Sequence, residues 1–129
     1  MFSKTTHDVL TLLAVTVFAD KHVYSSEIKE FINVAKTLPH CQNPDDKLSE
    51  ARLLAWFEQN RLELKSLHAS QAFEDWLLSL LERLSGLKDK TSLLQAMRLI
   101  ARADGEVHIS ETALITLAKY YWGETKHAA

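Results

Sequence analysis

The sequence predicts an all-α fold, and three observations carry that prediction. Only three Gly and two Pro occur in 129 residues, too few for the succession of tight turns that a β-fold needs. Leu, Ala, Glu and Lys, all good helix formers, dominate the long segments. Apolar residues recur at three- and four-residue spacing, the period of one helical face. With 47% hydrophobic residues, a chain of this length buries a core without disulfides or metals, so a single domain over 1–129 is expected.

Each helix has its own signal. Val9, Leu13 and Val17, widened by Leu10, Ala14 and Phe18, make the stripe of a first helix that should stop near Asp20. Ser25 or Ser26 is placed to cap a second, with Ile28, Phe31, Ile32 and Ala35 on its buried face and Pro39 at its end. The segment from Pro39 to Asp46 combines two prolines with Asn and Asp and reads as a loop, from which Asp45 or Asp46 would cap a third helix. Leu53, Trp56, Phe57 and Leu64 form that third helix, and Phe73, Leu77, Leu80, Leu84 and Leu87 the fourth, with the break falling between Ser66 and Ser70. Gly86 suits a left-handed stop and Asp89 an N-cap for a fifth helix built on Leu93, Met97 and Ile100. Asp104-Gly105 ends it. Ser110 is placed to cap a sixth helix whose Leu114, Leu117 and Tyr121 face inward, and Gly123 stops it before a polar tail that should fray.

Charge and cysteine usage exclude several functions. Fifteen Lys and Arg against 17 Asp and Glu give a formal net charge of −2, so no overall positive field exists to hold nucleic acid or an anionic membrane surface. The single cysteine, Cys41, has no partner for an intramolecular disulfide. Met1-Phe2-Ser3-Lys4 leads into an amphipathic pattern with no signal-peptide core, so a cytoplasmic location is expected. Charges interrupt every leucine-rich run before it reaches the roughly 20 residues of a membrane span, which leaves room only for peripheral association.

Two segments repeat. Ala19-Asp20-Lys21-His22-Val23-Tyr24-Ser25-Ser26-Glu27 aligns with Ala103-Asp104-Gly105-Glu106-Val107-His108-Ile109-Ser110-Glu111 at an offset of 84 residues (104 − 20), with five identities in nine positions. Chance predicts on the order of half a match at average composition, so a duplicated helix-turn-helix unit is expected, over about 9–38 and 93–122. Structural duties cover much of the shared pattern: small alanines permit close helix approach, the valines plug the turns into the core, the serines cap, and the glutamates sit where the helix macrodipole favours a carboxylate.

Ala101-Arg102-Ala103-Asp104-Gly105-Glu106-Val107, followed by Ser110-Glu111 and an apolar helix, resembles the signature of TerB-like, tellurite-resistance domains. Phe18-Ala19-Asp20 to Ser26-Glu27 looks like a degenerate copy, with Lys21 in the place of Gly105. The resemblance is specific at both ends of the chain and rests between 40 and 90 on helical pattern and length. It implies a compact bundle of about six to seven helices in two pseudo-symmetric halves with the acidic turns near one another. It also implies a role in tellurite or wider stress response, and no enzymatic activity.

The sharp chemical expectation is that Asp20, Glu27, Asp104, Glu106 and Glu111 supply hard oxygen ligands for a divalent cation such as Ca²⁺ or Mg²⁺, or a docking face for a basic protein partner. The spacing is not that of an EF-hand, and the competing account is caps and surface charge. His22 and His108 would turn the site towards Zn²⁺ only if they met the carboxylates, yet they occupy non-equivalent positions of the repeat. His40-Cys41 has no CxxC or HxxxH partner, and neither a Cys-His or Ser-His-Asp constellation nor a Gly-rich phosphate loop is marked. Trp56, Phe57, Phe73, Trp76, Tyr120, Tyr121 and Trp122 mostly fit core faces; Trp76 and Trp122 lie beside the stripes and, if exposed, would mark a partner groove. The expected function is thus a non-enzymatic cytoplasmic interaction or sensing module. The alternative is a metal-dependent enzyme or accessory subunit that uses the same carboxylates around a metal-bound water.

Overall fold

A computed structural model describes residues 2–18, 25–38, 48–103 and 109–123. Among them are six helices: α1 (Lys4–Phe18), α2 (Ser25–Thr37), α3 (Glu50–His68), α4 (Phe73–Leu84), α5 (Lys90–Ala101) and α6 (Ile109–Trp122). The expected acidic turns at 19–24 and 104–108, the expected loop at 39–47 with His40, Cys41 and both expected α3 caps, and residues 124–129 lie outside the described residues.

The first helix is the centre of the molecule. Ser3 caps it, its hydroxyl accepting from the Thr6 backbone N–H at 3.3 Å, so the helix starts five residues before the first stripe residue, Val9. From Val9 to Phe18 every residue is buried, because α1 packs against α2, α3, α4 and α5. A helix covered on that many sides needs apolar residues all round, which is why its stripe looked broad in sequence. Two buried threonines turn their hydroxyls to their own helix, Thr11 to the His7 carbonyl at 2.7 Å and Thr16 to the Leu12 carbonyl at 3.0 Å.

Around α1 the expected faces are the buried ones. Phe31, Ile32 and Ala35 of α2, Leu53, Trp56, Phe57 and Leu64 of α3, and Leu93, Met97 and Ile100 of α5 are all in the core. Phe57 joins three helices, stacking on Phe18 at 5.6 Å and meeting Phe31 at 5.4 Å between ring centroids. The α3–α4 break falls at residues 69–72, overlapping the C-terminal end of the expected window from Ser66 to Ser70. Gly123, at φ 75°, ends α6 in the left-handed conformation as anticipated.

Several local expectations are corrected. Ser49, not Asp45 or Asp46, caps α3, accepting from Arg52 N at 3.2 Å. Asp45 and Asp46 precede that cap position by four and three residues in the sequence. Gly86 is not left-handed; the chain uses Asp89 instead, at φ 55° and ψ 50°, whose carboxylate also caps α5 through Ser92 N and Oγ. Aspartate tolerates this backbone because its short side chain bonds locally. Leu87 therefore packs on the core from the connecting turn and not from α4. Helix α6 begins at Ile109, which puts Ser110 in its first turn. Tyr121 is 38% exposed: Leu114, Ile115 and Ala118 are the buried residues of α6, with the expected Leu117 and also Trp122 partly buried against the core.

Candidate functional site

Of the five acidic residues proposed as ligands, Glu27 is the one whose side chain is described. It occupies the third position of α2 and is fully buried. At that position a glutamate can reach back to the N-cap backbone N–H, and its charge faces the positive end of the helix. Glu27 takes part in at least one polar, ring or electrostatic interaction. Glu111, which the sequence alignment sets opposite it, lies in the first turn of α6, but its side chain, together with Asp20, Asp104, Glu106, His22 and His108, lies outside the described residues. Among the described residues no group of three His, Cys, Asp or Glu is close enough to hold a metal ion.

The helices that bracket the two turns share one core. Helix α1 packs on α2 and α5 packs on α6, and α1 and α2 both pack on α5. Small side chains at buried positions, Ala35 on α2 and Ala96 and Ala101 on α5, leave room for backbones to approach.

Other polar groups were not legible in sequence. Asp8, whose side chain is 11% exposed on α1, is held by Arg83 of α4 through Nε at 3.3 Å and Nη2 at 3.5 Å, a forked contact that fixes the register of the two helices. Trp56 Nε1 donates to His7 Nδ1 at 3.1 Å. Because indole only donates, this bond fixes the neutral His7 ring as the tautomer protonated on Nε2. His7, Lys4 and Arg52 line one open groove, with Arg52 lying over the Phe2 ring at 5.1 Å. These pairs are 75 and 49 residues apart in the chain, and no local spacing announces them.

The aromatic question also resolves. Trp76 and Trp122 are partly buried and packed on the core, and Trp122 donates to the Leu81 carbonyl at 2.9 Å. They nominate no partner groove. Among the described residues Tyr120 is largely exposed, at 75%. No helix among the described residues is long and apolar enough to cross a membrane.

The architecture is that of a compact all-α domain built round a buried first helix, with a buried acidic residue opening its second. The family described as tellurite resistance protein TerB matches residues 6–123. The chain belongs to the TerB family, as the resemblance of 101–111 implied, and the match extends through the middle of the chain, where the sequence offered only helical pattern. No curated protein and no solved structure matches it.

Proposed function

We propose that this TerB domain is a non-enzymatic interaction or sensing module, cytoplasmic and acting in tellurite or general stress response, whose acidic turns bind a divalent cation or a basic protein partner. The observation that carries the reading is the complete burial of Glu27. Surface charge accounts for an exposed carboxylate, not for one removed from water, where an ionised group is stable only with dedicated partners. Glu27 opens the helix that follows Asp20, and Glu111 stands in the same place after Asp104 and Glu106. The packing of α1 and α2 on α5 supports a shared location for the two segments. Oxygen donors of this kind select Ca²⁺ or Mg²⁺ over softer metals.

Calorimetric titration of metal-free protein with Ca²⁺, Mg²⁺, Mn²⁺ and Zn²⁺ tests this, with the Asp20→Asn/Asp104→Asn variant and the near-isosteric Glu27→Gln beside the native chain. Stoichiometric binding lost in the double variant is the expected result. Absence of heat in the native protein for every cation would remove the cation half of the proposal and leave the basic partner.

A further inference from the structure

We infer that a second site, chemically opposite to the acidic turns, lies between α5 and α6 and takes a dianionic tetrahedral oxyanion, either free phosphate or the phosphate group of a small phosphomonoester. A groove of about 250 Å³ there is lined by Arg98, Arg102, Thr116 and Lys119 over a floor of Ala101 and Ile115. Arg98 stands in the last turn of α5 and Arg102 is its C-cap residue four positions on, and Thr116 and Lys119 are almost one turn apart on α6, so both helices present polar groups to one cleft.

Among the described residues the charge lining the groove is all of one sign. Three cations line the groove, and no carboxylate does among the described residues. None of the three makes an ion pair with a described residue, in contrast to Arg61 with Glu58 and Arg83 with Asp8. Arg98 and Lys119 are half-buried. Each stands in the last turn of its helix, where the macrodipole favours a cation, and that accounts for each singly. It does not account for their sharing one small cleft with the exposed Arg102, since like charges that line one cleft, two of them half-buried, repel. An anion relieves that repulsion, and a dianion balances the two half-buried charges where a carboxylate balances one. Guanidinium groups offer paired N–H donors that match two oxygens of a phosphate. The ammonium adds a point charge and the Thr116 hydroxyl a further donor. The cleft exceeds what a bare tetrahedral ion fills, and its Ala101–Ile115 floor accommodates an organic substituent.

The test is a titration of the full chain with inorganic phosphate and with O-phosphoserine, followed by calorimetry and ³¹P NMR at low salt, with acetate as the single-charge comparison. Saturable one-to-one phosphate binding is expected, at least tenfold tighter than acetate. Arg98→Gln and Lys119→Gln should each weaken it about tenfold or more with an unchanged circular-dichroism melting curve, Thr116→Val by a smaller factor, and Arg61→Gln not at all. Tighter binding of O-phosphoserine assigns the site to a phosphomonoester, and equal or weaker binding to the free ion. The inference is overturned if the native chain gives no saturable phosphate binding, if acetate binds as well, or if Arg61→Gln loses as much affinity as Arg98→Gln. Asp20→Asn/Asp104→Asn should retain phosphate binding, which separates this site from the cation proposal.

Discussion

Asp8 and Arg83 are an ion pair in which burial is unequal: the carboxylate is nearly covered while 42% of the arginine side chain reaches water. Removing the arginine strands a carboxylate inside the bundle, whereas removing both partners costs less. Arg83→Ala should therefore lower stability by about 1–2 kcal/mol, and Asp8→Asn added to it should restore part of the loss, both read from urea denaturation midpoints. Gly86 gives the opposite forecast. Its backbone is not left-handed and an added Cβ meets nothing within 4 Å, so Gly86→Ala should be neutral or stabilise by about 0.5 kcal/mol through the unfolded chain; a loss above about 1 kcal/mol would contradict that backbone assignment. Neither effect was legible in sequence. The pair spans 75 residues, and a glycine before a helix start looks alike whether it is left-handed or not.

Helix α1 shows how packing overrides propensity at the scale of an element. Seven of its 15 residues are Thr or Val, which disfavour a helix because branching at Cβ stiffens the side chain against the preceding turn. It forms because the bundle buries it, not because it would be stable alone. Thr16→Val should then change stability by no more than about 0.5 kcal/mol, since the Leu12 carbonyl keeps its helical partner when the hydroxyl is lost. Leu13→Ala, with the same secondary structure, should cost about 3 kcal/mol through transfer and cavity terms. Equal losses for the two in thermal unfolding would mean that α1 is held by its polar contacts. The stripes of α2, α3 and α5 were readable because each touches the core on one side. The caps were less so: Ser, Asp and Gly compete for the same turns, and only the three-dimensional path selects Ser49 over Asp45 and Asp89 over Gly86.

At the scale of the whole molecule, one buried cluster runs through all six helices, with Trp56, Trp76 and Trp122 reporting from α3, α4 and α6. A single core should unfold in one step, so tryptophan fluorescence and far-ultraviolet circular dichroism should give coincident urea transitions; separated midpoints would divide the bundle into independent units. The amino-acid sequence by itself determined the helical class, most buried faces and, through the motif Asp104-Gly105-Glu106-Val107, the family, because helical period and turn chemistry are local properties. It also marked Glu27 as acidic, but not as buried. Only the tertiary structure decided that α1 is the central helix, that Asp8 meets Arg83 and His7 meets Trp56, and that Arg98, Arg102 and Lys119 line one cleft. Those facts depend on which faces meet across distant parts of the chain, and residue spacing along a helix fixes a face without fixing what stands opposite it.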